Sequence, residues 1–170
     1  MLCPQADLYR HIAPRVRQQK VFEVGFGTGF GTLQLAAEAS SVCATEIDRE
    51  ALAFAQQNLP LPNVVWWDAG YTLMHLPFDA VVMVEVLEHV SDRYLALKNV
   101  HNALVRGGTL YVTARNAAAD LRRNELHNDE KTAAEFLAEL APFFRAVSIY
   151  DSSLTQRLTE TSHVTPTIAV

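Results

Sequence analysis

Four of the seven glycines in this 170-residue chain stand at alternate positions, Gly25, Gly27, Gly29 and Gly31. A short apolar run with an acid inside it, Val21-Phe22-Glu23-Val24, precedes them, and Thr32-Leu33-Gln34-Leu35-Ala36 follows with the look of a helix. A strand that breaks into glycines and reopens as a helix is the unit that cradles a nucleotide-like ligand at the edge of a parallel sheet. Glycine is needed there because the chain turns sharply and a Cβ would keep the ligand off the backbone. The spacing also separates ligand classes. A dinucleotide turn G-x-G-x-x-G counted from Gly25 needs its third glycine at position 30, where this chain has Phe30. The pattern is instead Glu-x-Gly-x-Gly-x-Gly.

Two further apolar runs end in acids. Ser41-Val42-Cys43-Ala44-Thr45 leads into Glu46-Ile47-Asp48, with Glu46 seventeen residues beyond Gly29. A carboxylate at the end of a second strand accepts two hydrogen bonds from a ribose diol. Asp48 reads as the N-cap of the next helix, and Ala51 three residues on leaves no capping-box acid. The third run, Asn63-Val64-Val65-Trp66-Trp67, ends in Asp68-Ala69. Alternation sends Trp66 and Trp67 to opposite faces, where core packing explains them better than ligand stacking.

Taken in order, the Glu23-to-Gly31 turn, Glu46 and the Asp68-Ala69 pair resemble motif I and the next two strand ends of the class I S-adenosyl-L-methionine (SAM)-dependent methyltransferases. The resemblance implies SAM as cofactor, bound by Glu23, Gly25, Gly27, Gly29, Glu46, Ile47, Asp68, Ala69 and Glu85. In that family Glu46 would take the ribose, Asp68 the adenine amino group, and the N–H after Asp68 would face the ring. It also implies the fold: a seven-stranded, mostly parallel, doubly wound α/β sheet with an antiparallel C-terminal strand and helices on both faces.

Strand and helix signals alternate along the chain. Strands are expected near 20–25, 42–47, 63–67, 78–84 and 108–114, and helices near 29–39, 49–58, 91–104 and 130–140. Gly107 is expected at the C′ position closing the helix before the fifth strand. Ala103-Leu104-Val105-Arg106-Gly107-Gly108-Thr109-Leu110 resembles the family's L-x-P-G-G-x-L junction, with Arg106 in place of proline. Phe143–Tyr150 and His163–Val170 read as two closing strands. The chain is expected to be one domain over 1–170, with an N-terminal helical segment at 1–19 and a candidate substrate lid at 115–129.

The chemistry is expected after the fourth strand, in Glu85-Val86-Leu87-Glu88-His89-Val90. The chain contains no Asn/Asp-Pro-Pro-Tyr/Phe sequence of the kind that holds a base amine, and no pair of catalytic cysteines. A site rich in carboxylate and imidazole suits removal of a hydroxyl proton. An alcohol attacks a sulfonium methyl group poorly until it sheds its proton, so O-methylation needs a base or a Lewis acid. Imidazole ordinarily titrates near neutral pH, which makes His89 the candidate general base, with Glu85 and Glu88 to orient it. If residues 85–89 formed one α-helical turn, Glu85, Glu88 and His89 would share a face and could hold Mg or Mn, with His127 as a fourth ligand. That Glu-x-x-Glu-His resembles both metal-dependent RNA 2′-O-methyltransferases and quinone-pathway O-methyltransferases. Arg115, Arg122, Arg123 and His127 gather positive charge in the lid, and Arg115 and His127 are the candidate substrate contacts.

Composition narrows the setting. Hydrophobic residues make up 49 %, enough for a substantial core. The net charge of −5 disfavours non-specific binding to nucleic-acid phosphates. Cys3 and Cys43 lack metal or redox spacing, and a packed, reduced Cys43 fits a cytoplasmic protein. No apolar stretch approaches a membrane span. The leading expectation is O-methylation of a small molecule or glycan precursor. RNA methylation is the alternative, and a SAM-binding subunit without catalysis the third. Both a homodimer and a partner subunit completing the site remain open.

Overall fold

The computed structural model describes residues 4–68, 77–114, 131–151 and 167–169. Five parallel strands form its body: β1 Lys20–Val24, β2 Ser41–Thr45, β3 Val64–Trp67, β4 Phe78–Met83 and β5 Leu104–Ala114, in the order β3-β2-β1-β4-β5. Beyond β5, two three-residue strands pair antiparallel, β7 Thr167–Ala169 against β5 and β6 Ile149–Asp151 against β7. The helices are α1 Pro4–Ile12, α2 Phe30–Glu38, α3 Arg49–Asn58, α4 Arg93–Ala103 and α5 Ala133–Leu140.

Alternation along the strands assigns the two faces. Val21, Val42, Ala44, Ala80 and Val82 pack with Tyr9, Ile12, Leu35 and Leu52, so α1, α2 and α3 cover one side. Phe22, Val24, Cys43, Val81 and Met83 point the other way and pack with Leu97, Val100, Phe136 and Leu140 of α4 and α5. Phe22 and Phe78 stack at 5.1 Å between ring centres. Burial pushes the Cys43 thiol up to about 11, which makes it a packing group rather than a nucleophile. Trp66 packs on the first side and Trp67 on the second, as their alternation requires.

Caps fix the helix starts. Asp48 accepts from the N–H groups of Glu50 and Ala51 at the head of α3. Thr132 and Glu135 form a reciprocal capping box, so α5 begins at Ala133 rather than near 130. The buried Arg93 of α4 makes a bidentate pair with Glu139 of α5, at 2.7 Å for each bond, which ties the two helices together.

The junction before β5 departs from the sequence expectation. α4 ends at Ala103, and β5 begins at Leu104 rather than at 108. Phe78 pairs with Leu104 but Ala80 pairs with Thr109, so β5 carries extra residues opposite β4. Gly107, with φ 85°, lies in that irregularity and not at a helix C′ position. A Cβ on the adjacent Gly108 would stand 2.9 Å from the carbonyl oxygen of Asp79.

The sheet order places the site. β1 lies between β2 and β4, so the connections leaving β1 and β4 depart to opposite sides and open a crevice at their carboxyl ends. The glycine turn follows β1, and the Glu85–Val90 segment follows β4.

Candidate functional site

The crevice is a cavity of about 480 Å³. Gly25 to Thr28, Phe30 and Gly31 of the glycine turn, Tyr9 of α1, Glu46 and Ile47 after β2, and Glu85, Val86, His89 and Val90 after β4 form its walls, while Gly29 does not line it and faces Leu59 and Trp66. Gly25, Gly27 and Gly29 have φ of 71°, 57° and 79°, the left-handed region that a Cβ disfavours. A Cβ on Gly25 would also meet Cγ2 of Val86 at 2.5 Å. The two loops of the switch point therefore touch, and only glycine fits at their contact.

Glu46 is held by backbone donors. Its Oε1 accepts from the N–H of Ile47 at 2.7 Å and of Asp48 at 3.1 Å, and its Oε2 accepts from the N–H of Gly27 at 2.9 Å. One carboxylate thus bridges the end of β2 to the glycine turn. Oε1 already takes two donors, whereas Oε2 takes one and keeps a lone pair for a ligand donor; Ile47 beside it is 76 % exposed.

Glu23 behaves differently from its neighbours. It is fully buried, does not line the cavity, and accepts from Tyr9 Oη at 2.8 Å and Thr32 Oγ1 at 2.6 Å. Burial raises its carboxyl to about 7 against the opposing pull of the Thr32 and Tyr9 hydroxyls, and Glu46 adds a further upward push. Alternation explains the position: Glu23 shares the face of Val21, towards α1 and α2. Glycines draw attention in the sequence, while the two hydroxyl partners carry no spacing signal, since Tyr9 is fourteen residues away.

After β4, Glu85 is one of two non-glycine residues with positive φ among those described, at 55°. Its N–H donates to the buried Thr113 Oγ1 of β5 at 2.8 Å. Glu85 and His89 both line the cavity, whereas Glu88 does not. The helical premise of the metal expectation fails here: only Leu87–His89 is helical, as a 3-10 turn, and the left-handed backbone at Glu85 lies outside it. Glu85, Glu88 and His89 therefore lose the shared α-helical face, and among the described residues no three His, Cys, Asp or Glu side chains group as ligands. The donor set described does not fit Mg or Mn.

Asp68 is an exposed residue paired with Arg49 at 3.6 Å. Ala69, Arg115, Arg122, Arg123, His127 and the whole 115–129 segment lie outside the described residues. Phe26, Phe30, Val84 and Val90 line the cavity without having been singled out from the sequence, because apolar residues at a turn look like ordinary core; Thr28 lines it too.

A glycine turn held in left-handed backbone, a carboxylate bonded to it, and a crevice at the switch point suit a nucleoside-bearing ligand. The family model of the methyltransferase domain matches residues 22–112, from β1 through β5. The chain belongs to the class I SAM-dependent methyltransferases. Among its relatives, a Mycobacterium tuberculosis protein described as a probable SAM-dependent methyltransferase is 29 % identical over 141 residues, covering 78 % of this chain and 51 % of the relative. An uncharacterised methyltransferase of Mycobacterium bovis is 35 % identical over 97 residues, covering 55 % of this chain and 49 % of the relative. The chain thus spans about half the length of these curated relatives. A crystal structure of a SAM-dependent methyltransferase from Mesorhizobium loti shares the fold at TM-score 0.70 and 19 % identity, over 98 % of this chain and 96 % of that one. No helix among the described residues is long and apolar enough to cross a membrane. The family's cofactor is SAM.

Proposed function

We propose that this methyltransferase-family chain catalyses O-methylation of a small molecule or glycan precursor, with His89 as general base. The observation that carries the reading is one cavity lined by the glycine turn, Glu46, Glu85 and His89 together. SAM, when bound, supplies an activated methyl group on a sulfonium with a neutral thioether as leaving group.

The chain's own residues would do the rest. Gly25 and Gly27 would admit the cofactor to the backbone, Gly29 would hold the turn at the head of α2, and Glu46 would accept from the ribose. Ile47 would cover the adenine ring, and Asp68 would accept from the adenine amino group, with Ala69 as the next residue towards the ring. Val86, Val90 and Phe30 exclude water from the acceptor side, where His89 takes the hydroxyl proton. Glu85 contacts the cofactor or orients His89, and Glu88 supports the imidazole from behind the wall. Positioning supplies much of the acceleration, because alignment converts a bimolecular displacement into an effectively unimolecular one.

In this reading residues 1–170 act as a single domain, with the 115–129 segment as lid and Arg115 and His127 as acceptor contacts. The reducing cytoplasm suits the buried Cys43 thiol. Among the described residues no lysine or arginine lines the cavity, and the net charge is −5. The net charge favours a small acceptor over RNA.

Labelled methyl groups followed from SAM into a cell extract test this reading. Label in nuclease-resistant small or glycan material, insensitive to chelator and lost in His89→Ala, is the expected result. Nuclease-sensitive label that disappears with chelator would instead establish a metal-assisted RNA methyltransferase.

A further inference from the structure

Glu23 is buried at the end of β1, yet both of its carboxylate oxygens are occupied by side chains from other elements. Thr32 of α2 donates to Oε2, and Tyr9 of α1 donates to Oε1. The same Tyr9 ring presses on the first turn of α2: a Cβ on Gly31 would stand 2.1 to 2.5 Å from three of its ring atoms. Tyr9 also lines the cavity, together with the glycine turn and the segment after β4. One side chain thus touches the strand, the helix and the cleft at once.

We propose that Tyr9 is a positioning residue for the cofactor, whose hydrogen bond to Glu23 clamps α1 against the glycine turn and makes that helix a wall of the SAM cleft. The inference rests on the methyltransferase reading of the cleft. The apolar contacts of Ala6, Leu8 and Ile12 attach α1 to the core but tolerate small shifts. A phenol O–H is directional, so its bond to a buried carboxylate sets where α1 lies. Gly31 belongs to the device because any larger residue would push the Tyr9 ring out of reach of Glu23.

Tyr9→Phe and Thr32→Val separate positioning from a merely structural role. Each deletes one hydroxyl donor to Glu23, but only Tyr9→Phe releases α1. S-adenosylhomocysteine (SAH) binding by calorimetry and backbone amide exchange over residues 6–12 are the readouts. We expect Tyr9→Phe to weaken SAH about tenfold and to speed exchange over 6–12 by a similar factor, with much smaller effects from Thr32→Val. SAH is expected to slow exchange over 6–12 in the wild type, a test that stands even if Tyr9→Phe does not fold. Unchanged exchange in Tyr9→Phe, or equal losses of SAH in both variants, would overturn the clamp. A wild type that binds no SAH would instead defeat the methyltransferase reading, while exchange in Tyr9→Phe without ligand still decides whether Tyr9 holds α1.

Discussion

Gly25 and Val86 meet at the switch point so closely that a Cβ on the glycine would lie 2.5 Å from Cγ2 of the valine. The turn after β1 and the segment after β4 are therefore one packed unit, and the cleft between them has its shape before any ligand arrives. Gly25→Ala combines that clash with a left-handed φ of 71°. It should destabilise the fold by roughly 2 kcal/mol and weaken SAH at least a hundredfold, measured by urea denaturation and calorimetry.

Gly31→Ala should have the opposite sign to its helix propensity. Gly31 lies in α2, where exchange of glycine for alanine ordinarily adds about 1 kcal/mol. Here the new methyl would enter the Tyr9 ring. A loss of roughly 2 kcal/mol or more is expected in urea melts. A gain would mean that Tyr9 moves away without penalty.

Glu23 should make stability depend on pH. Its carboxyl stands at about 7 when folded against an ordinary value of 4.5, chiefly because burial disfavours the charge. The folded chain therefore holds the proton where the unfolded chain has released it. This contribution is fully present below about pH 4.5, falls as pH rises to about 7, and is level above that. Integrated over the window it is on the order of 3 kcal/mol. Glu23→Gln should remove this slope, so the wild type should lose more stability than the variant between pH 5 and pH 7.5, as read from urea melts at roughly those two values.

Glu85 should show a conflict between stability and function. A long side chain at φ 55° sits in a region that costs roughly 1 kcal/mol relative to glycine. Glu85→Gly should raise the unfolding free energy by about that much while lowering methyl transfer at least tenfold. Glu85→Gln keeps the backbone strain and should lower activity without the gain in stability. Equal activity in all three proteins would remove Glu85 from the site.

The sequence made the cleft legible wherever function depends on backbone. Alternate glycines, an acid seventeen residues on and apolar runs between them are local patterns, and they placed Gly25 and Gly27 in the turn after β1, Gly29 at the head of α2 and Glu46 at the end of β2. Asp48 was readable as a cap for the same reason. What depends on tertiary contact was not legible. Nothing in the chain's spacing joins Tyr9 to Glu23, or Thr113 to Glu85. The Glu85–His89 spacing suggested a shared helical face, but the left-handed residue at its head breaks the geometry that the spacing assumes. Gly107 likewise read as a helix end, because a bulge between β4 and β5 leaves no mark in one strand alone.

SAH titrated into the purified chain tests the central claim most directly. One-to-one binding with Kd below roughly 100 µM is expected, abolished by Gly25→Ala and retained in His89→Ala. Absence of binding to the folded wild type, or full binding by Gly25→Ala, would contradict the assignment of this cleft to SAM.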